Sequence, residues 1–244
     1  MIYYFSTTGN SLALAQKLAA ALGDGICSVT RTREKTLEGP AVGLVFPVYY
    51  GDVPANVQDF VRSHAFPEGA YVYALATCGS TWGRTFRTLQ QLLGEKGCHL
   101  AWSRAVPLIA NSTICMKSHI GYDLKKLDKE EALVREGAEA VKNRKEDHSQ
   151  EQDSLLARFS ATWLGRKIGN WYLAVQVAPD RCVRCGECVR LCPMENIHLG
   201  EKAAVMGNHC LHGCPHQAIT ARGRVVLKED QYRHPGVTVQ ELER

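Results

Sequence analysis

Long apolar runs are missing from this 244-residue sequence. A membrane-spanning helix needs roughly 18 or more consecutive apolar residues, and the longest candidate, Trp163 to Ala178, is interrupted by Arg166 and Lys167. Met1 to Phe5 already have the pattern of a strand, so we expect no signal peptide. The sequence therefore predicts a cytoplasmic protein without a transmembrane segment, for which peripheral membrane contact stays open.

Two functional patterns are also absent. The 29 basic and 25 acidic residues give a formal charge of +4, and the basic residues are scattered along the chain. A nucleic-acid-binding protein usually gathers them in a stripe or patch, so we expect no nucleic-acid partner. The G-x-G-x-x-G motif of nicotinamide dinucleotide sites is missing. No constellation of general acids and bases stands out either, and we predict no catalytic residue.

Cysteine, by contrast, is abundant. Among the ten cysteines, Cys182, Cys185, Cys188 and Cys192 form a C-x2-C-x2-C-x3-C run with a proline after the last. Two-residue gaps in a tight loop aim successive sulfurs at the corners of one cubane, and this spacing is typical of bacterial ferredoxins. Zinc sites usually consist of two separated C-x2-C pairs. The run therefore indicates an iron-sulfur cluster.

An imperfect repeat follows this run. Cys192-Pro193 is echoed by Cys214-Pro215 twenty-two positions later, and Cys188 aligns with Cys210. Cys182 and Cys185, however, align with Ala204 and Gly207, so the second run lacks two ligands. In two-cluster ferredoxins the last cysteine of each run binds the other run's cluster. We therefore predict one 4Fe-4S cluster, with the ligands Cys182, Cys185, Cys188 and Cys214.

Cys192 and Cys210 are then the remnant of a second cluster site. They can be free thiols, or they can hold an unusual second centre together with His209 and His212. Histidine ligation of clusters is uncommon, so we favour the interpretation of both histidines as solvated polar residues.

The first part of the chain alternates strands and helices. The predicted strands are Ile2–Phe5, Gly25–Val29, Ala41–Phe46, Tyr71–Ala76 and Leu100–Pro107. Helical patterns lie between them and after the last, at Leu12–Leu22, Ala55–His64, Arg84–Glu95 and Leu124–Val141. This alternation predicts a parallel sheet with helices on both faces, whose ligands collect at the carboxyl ends of the strands. The loops after strands one, three and four should share one site.

Those three loops carry suitable residues. The first contains hydroxyls, a glycine and an asparagine just before a helix, an arrangement that binds phosphate; its residues are Ser6, Thr7, Thr8, Gly9, Asn10 and Ser11. The other two combine aromatic rings with glycines that let the backbone approach a planar ring. Their residues are Pro47, Tyr49, Tyr50 and Gly51, and Thr77, Cys78, Gly79, Trp82 and Gly83.

These loops resemble the FMN site of flavodoxins. Together with the cysteine run, they make nearly the whole chain similar to the bacterial family of flavodoxin and ferredoxin fusion proteins. The resemblance implies an α/β flavodoxin-like doubly wound five-stranded parallel sheet, of order 2-1-3-4-5, followed by a small α+β ferredoxin-like domain. It also implies that Ser6 to Ser11 bind the FMN phosphate and that Pro47 to Gly51 and Thr77 to Gly83 flank the isoalloxazine. In single-cluster ferredoxins, which the second part resembles, Cys192 and Cys210 would form a disulfide.

The resulting domain prediction has four segments. They are a flavodoxin-like FMN-binding domain (1–147), a linker and docking helix (148–176), a 4Fe-4S ferredoxin-type domain (177–230) and a polar tail (231–244). Phe159, Trp163, Ile168 and Trp171 recur at helical spacing in the second segment. By default this stripe packs the two domains together; a membrane-surface or partner-docking helix is the alternative.

Three functions are compatible with these features. We favour an electron-transfer protein that passes electrons between the cluster and FMN and on to an unidentified redox partner, which basic residues such as Arg184 and Arg190 would attract if it is acidic. The alternatives are an FMN-dependent reductase of a small molecule such as a quinone, and a redox or oxygen sensor. Cys27, Cys78, Cys98 and Cys115 are expected to be ordinary buried thiols, and tuning of the flavin is the alternative role for Cys78.

Overall fold

The computed structural model describes residues 1–111, 121–147, 155–199, 203–205 and 212–242. Cys115, His209 and Cys210 lie outside these residues. The chain divides into two compact units. The first consists of Met1–Ser6, Asn10–Ile109 and Leu124–Thr162, and the second of Thr7–Gly9, Ala110–Asp123 and Trp163–Arg244. The four-segment division expected from the sequence stays a prediction.

The first unit is built on one parallel sheet. Its strands are β1 (Ile2–Tyr4), β2 (Ile26–Ser28), β3 (Ala41–Pro47), β4 (Tyr71–Cys78) and β5 (Leu100–Pro107). The strand order is β2-β1-β3-β4-β5, and each neighbouring pair is parallel. This is the 2-1-3-4-5 order of flavodoxin-like doubly wound sheets. The predicted fold class is therefore confirmed.

The centre of the sheet is buried on both faces. All eight residues of β4 are buried, as expected for a parallel strand covered by helices on each side. Gly43 in β3 makes room for the fully buried ring of Tyr73, because a Cβ at Gly43 would lie 2.6 Å from Tyr73 Cζ. The glycine is therefore a packing requirement of the core.

Helices cover this sheet. They are α1 (Asn10–Leu22), α2 (Ala55–Ser63), α3 (Thr85–Gly94), α4 (Glu130–Lys142) and α5 (Leu155–Ala161), with a 3-10 helix at Leu124–Lys129. The sequence predicted one helix from Leu124, but the α-helix begins only at Glu130. The buried Glu130 accepts a 2.5 Å hydrogen bond from Lys17 of α1 and lies in the first turn of α4, where a negative charge stabilises the helix.

The second unit combines short helices with antiparallel strands. After α6 (Trp163–Leu173), its elements are β6 (Val175–Val177), α7 (Glu187–Leu191), β7 (Ile197–Leu199), β8 (Ala203–Val205), β9 (Ile219–Ala221), β10 (Arg224–Val225), a 3-10 helix (Lys228–Asp230) and α8 (Val239–Leu242). The strands form a β10-β9-β6 sheet and a β7-β8 hairpin. A small core gathers Ile197 and Ile219 around Cys192 and Cys214. This agrees with the predicted small α+β domain.

Two segments of the second unit differ in burial from what their composition suggested. The predicted polar tail contains the buried side chains of Tyr232, His234 and Val237. The Tyr232 ring packs 5.1 Å from the ring of Tyr122, measured between centroids. In α6, by contrast, Trp163 and Trp171 are 73% and 79% exposed. None of the helices in the described part of the chain is both long enough and apolar enough to cross a membrane.

The Gly43 contact gives a stability test. We predict that Gly43→Ala lowers the free energy of unfolding by about 1–3 kcal/mol, because the new methyl group overlaps the Tyr73 ring in a tightly packed core. The measurement is the urea unfolding midpoint of the first unit, followed by the near-ultraviolet circular dichroism of its aromatic residues. Gly94→Ala is the matched control, since no atom lies within 4 Å of a Cβ at this helical position. Equal midpoints for the two variants would contradict the packing role of Gly43.

Candidate functional site

The loops after β3 and β4 touch each other, as the predicted sheet order required. The backbone N–H of Arg84 donates a 2.8 Å hydrogen bond to the carbonyl of Gly51. Gly83 has a φ of 54°, and a Cβ there would lie 2.3 Å from the Gly51 oxygen. Only a glycine permits both this conformation and this approach. The two aromatic loops therefore form one surface at the carboxyl edge of the sheet.

The first of these loops is a tight turn. Tyr49 and Asp52 exchange two backbone hydrogen bonds, of 3.0 and 2.9 Å, and Tyr50 and Gly51 between them have positive φ angles of 54° and 69°. The Tyr49 ring contacts Phe5 edge-on at 6.2 Å. Tyr49, Tyr50 and Trp82 are all half-buried. Each ring can therefore offer part of its surface to a ligand.

The second loop begins later than the sequence predicted. Thr77 and Cys78 belong to β4, where Thr77 pairs with Pro47 of β3 and Cys78 pairs with Pro107 of β5. A central strand has hydrogen-bonding partners on both sides. Its backbone pairing can therefore continue beyond the apolar run that identified the strand in the sequence. The loop itself consists of Gly79 to Arg84.

The start of α1 lies at the same edge. The hydroxyls of Ser11 and Thr77 share a 2.8 Å hydrogen bond, and Asn10 Nδ2 donates a 3.2 Å bond to the carbonyl of Ile109, just beyond β5. These bonds attach the helix start to the ends of the central strands. The first turn of α1 contains no acidic residue, so no carboxylate there would repel an anion at this helix N-terminus.

Thr7, Thr8 and Gly9 in the predicted phosphate loop are held within the second unit. Thr8 Oγ1 accepts a 2.6 Å hydrogen bond from Asn111 Nδ2, and the carbonyl of Thr8 accepts a 2.8 Å bond from the N–H of His234. Gly9 has a φ of 97°, and a Cβ there would lie 3.0 Å from the Cβ of His234. The sequence pointed to neither Asn111 nor His234, because both contacts join residues more than 100 positions apart.

The predicted cluster ligands gather around Cys188. Burial raises the pKa of the Cys188 thiol, and the neighbouring sulfurs of Cys214, Cys185 and Cys182 raise it further. Gly186, with a φ of 78°, and Arg184, with a φ of 59°, turn the chain between these ligands. The structure thus brings together the four cysteines that the sequence selected. Four thiolates at this spacing repel one another, which fits a site that is completed by positively charged iron.

The two Cys-Pro loops have the same local geometry. The N–H of Ala218 donates a 3.3 Å hydrogen bond to Cys214 Sγ, and the N–H of Asn196 donates a 3.4 Å bond to Cys192 Sγ. In each loop the third residue after the cysteine, Gln217 or Glu195, has a φ of 53°. Cys192 therefore retains the conformation of a ligand loop. Its predicted companion Cys210 lies outside the described residues.

His212 is poorly placed to bind a metal. Its Nδ1 accepts a 2.9 Å hydrogen bond from the N–H of Tyr232. Burial lowers the pKa of the imidazole to about 4, although a hydrogen bond with the Asn111 backbone partly opposes this shift. The ring is therefore neutral and already engaged in hydrogen bonds. This arrangement argues against the alternative in which His212 completes a second centre, and the side chain is partly exposed.

A cavity of about 370 Å³ lies within the second unit. Cys188 and Cys192 line one part of it, and Thr7 and Thr8 line another. Lys228 and Arg233 add positive charge to its wall. Two cluster-loop cysteines and two phosphate-loop threonines therefore face a common space.

A zinc-type site is not formed by the described residues. Among them, no three Cys, His, Asp or Glu side chains are positioned to hold a metal ion together. None of the eight cysteines in this part of the chain forms a disulfide, and Cys27 and Cys98 are partly exposed rather than buried as predicted. The group around Cys188 therefore rests on the effect of the other three sulfurs on its thiol, and no three of these sulfurs are placed as ligands of a single metal ion.

Comparison with known proteins assigns part of the chain. Residues 175–198 match the family described as a 4Fe-4S binding domain. With the 2-1-3-4-5 sheet, this match defines the class: a flavodoxin-like domain joined to an iron-sulfur domain. The chain thus joins a sheet of flavodoxin-like strand order to a segment that matches a 4Fe-4S binding domain, the combination that its resemblance to the fusion family implied. A comparison with curated proteins found no match.

Several solved structures are similar to the first part of the chain. A putative flavoprotein from Bacteroides uniformis is 19% identical, with 44% of this chain and 88% of that chain covered and a TM-score of 0.38. A flavodoxin from the domain Archaea is 20% identical, with coverages of 58% and 96% and a TM-score of 0.38. Megasphaera elsdenii flavodoxin is 20% identical, with coverages of 55% and 97% and a TM-score of 0.36. Because these scores are low, the fold assignment rests on the strand order of the sheet.

The matched Cys-Pro loops allow a test of the ligand assignment. We predict that Cys214→Ser abolishes cluster binding, because it removes one of the four sulfurs grouped around Cys188. Cys192→Ser is the control, since it changes an equally buried cysteine in a loop of the same geometry and should retain the iron. The measurement is iron and sulfide per chain after anaerobic purification. Unchanged iron in Cys214→Ser would refute the assignment.

Cys78 allows a test of pH dependence. Burial raises the pKa of its thiol from the usual 9.0 to about 11. The thiol therefore stabilises the fold fully below pH 9, and this contribution is lost as the pH rises from about 9 towards 11, where the unfolded chain ionises first. We predict that the free energy of unfolding falls more steeply across this interval in the native protein than in Cys78→Ala. Parallel curves for the two proteins would show that the thiol is not shielded from water.

Proposed function

We propose that this protein is a cytoplasmic electron-transfer protein that passes electrons between one 4Fe-4S cluster and FMN, and on to a redox partner protein. The grouping of Cys182, Cys185 and Cys214 around Cys188 carries the proposal. Cys182, Cys185 and Cys188 lie within residues 175–198, which match a 4Fe-4S binding domain, and Cys214 lies beyond this match.

The chain's own residues would prepare the cluster site. The N–H of Ala218 orients Cys214 through its hydrogen bond to Sγ, and such bonds also stabilise negative charge on the sulfur. Cys185 and Val183 are exposed, the latter by 61%. One side of the ligand loop is thus accessible to another protein. The exposed Arg184 beside it favours a partner with an acidic surface.

FMN binding is proposed from the edge of the parallel sheet. The N-terminus of α1 would attract a phosphate through its helix dipole, and Ser6 and Thr7 add partly exposed hydroxyls. The Gly51–Gly83 contact brings the two loops close together, so Tyr50 and Trp82 can bind a flat ring system. An iron-sulfur cluster exchanges single electrons and a flavin exchanges one or two, so such a pair can convert between the two modes.

The cavity in the second unit supports a joint role for the two sets of residues. Thr7 and Thr8 would approach the phosphate, whereas Cys188 is a proposed cluster ligand, and all three line the same space. The two threonines and Cys188 thus line one cavity within the second unit, which supports the proposal that the phosphate end of FMN binds near the cluster loop.

Cofactor content is the decisive experiment. We expect about four irons, four sulfides and one FMN per chain after anaerobic purification, with an EPR signal of one reduced cluster. About eight irons would overturn the single cluster, and a colourless protein without flavin would overturn the FMN site. With cofactors present, a one-electron donor should reduce the flavin faster in the native protein than in Cys214→Ser. Equal rates would place the cluster outside the electron path.

A further inference from the structure

Helix α6 presents its large apolar side chains to solvent. The exposed fractions are 73% for Trp163, 51% for Leu164, 47% for Ile168, 79% for Trp171 and 40% for Tyr172. At about 100° per residue, these five positions occupy one half of the helix circumference.

The opposite side of α6 is the packed one. Gly165 is buried and Gly169 is half-buried, and both lie on the half of the helix opposite the five exposed side chains. A surface helix of a globular protein normally buries its apolar stripe and exposes its polar residues. Here the buried position is a glycine, and five bulky side chains are left uncovered. Single exposed apolar residues are ordinary, whereas five on one face mark a site of interaction.

The charged side chains that contact the rings of this face are basic. Lys167 Nζ lies 4.8 Å from the centre of the Trp163 ring, and Arg222 Cζ lies 4.3 Å from the centre of the Tyr172 ring. The sequence from Ser154 to Pro179 contains Arg158, Arg166 and Lys167 but no aspartate or glutamate. The face is thus apolar and aromatic with cations held against the rings, so its complement is an apolar surface that carries negative charge.

We propose that the exposed face of α6 binds the surface of a membrane that contains anionic lipid. Trp and Tyr rings favour the boundary between headgroups and acyl chains, and Lys and Arg beside them attract anionic headgroups. With 11 residues, α6 is too short to cross a bilayer, so it would lie in the plane of the interface. The five apolar side chains would enter the acyl boundary while Lys167 and Arg222 remain at the headgroups.

The test uses the complete protein with its cofactors. The protein is mixed with vesicles of phosphatidylcholine alone or with vesicles containing about one quarter phosphatidylglycerol, and bound protein is separated by flotation. We expect binding to the anionic vesicles that weakens as salt is raised, because salt screens the cationic contribution. Brominated lipids should quench the tryptophan fluorescence, since Trp163 and Trp171 would lie at the acyl boundary.

Two variants and two controls locate the surface. Trp163→Ala combined with Trp171→Ala should reduce vesicle binding at least about tenfold, since it removes the two most exposed rings. Lys167→Glu should weaken binding to anionic vesicles selectively. Leu124→Ala and Lys126→Glu change an exposed apolar and an exposed basic residue of the first unit, and both should bind like the native protein.

Three outcomes would overturn the proposal. The first is that the native protein binds neither kind of vesicle and that brominated lipid does not quench its tryptophan fluorescence. The second is that the double tryptophan variant binds as tightly as the controls. The third is that neither protein binds vesicles, whereas sedimentation shows self-association of the native chain but not of the double variant. The face of α6 would then be an interface between copies of this chain. The quenching measurement needs no substitution, so misfolding of a variant cannot imitate a negative result.

Discussion

The mutual repulsion of closely placed thiolates is the constraint that the second unit has to satisfy. Cys182, Cys185 and Cys214 all raise the pKa of Cys188, after burial itself. Such a group is stable with its sulfurs ionised only if positive charge lies among them. The core that surrounds it is small and includes Cys192 and Cys214 as buried members. Cluster binding and folding of this unit are therefore expected to be coupled, as in other small metal-binding domains.

In the first unit, the parallel sheet brings loops that are far apart in the sequence to one edge of the sheet. The parallel order places the ends of β3 and β4 side by side, and the absence of side chains at Gly51 and Gly83 allows their backbones to touch. The hydroxyl pair of Ser11 and Thr77 attaches α1 to the same edge. A rigid sheet thus positions short polar and aromatic loops, the usual way in which such folds build ligand sites.

The residues between Trp163 and Val177 show how composition alone can mislead. An aromatic stripe at helical spacing normally indicates a buried face. In α6, however, Trp163 and Trp171 are exposed and Gly165 is buried. The C-terminal segment shows the opposite difference. Its composition predicted a polar tail, but Tyr232 and His234 are buried. Periodicity identifies the faces of a helix, but the neighbouring elements decide which face is covered.

The sequence by itself indicated a parallel α/β sheet and the cysteines that group around Cys188, because alternating apolar patterns and the C-x2-C spacing are local properties of the chain. It also indicated that the loops after strands one, three and four would meet, since parallel strands end at a common edge; the strand order came from the family resemblance. Only the tertiary structure decided that Asn111 and His234 hold Thr8, that His212 accepts a hydrogen bond from Tyr232, and that α6 exposes its tryptophans. These features arise from contacts between residues far apart in the chain, which no local pattern encodes.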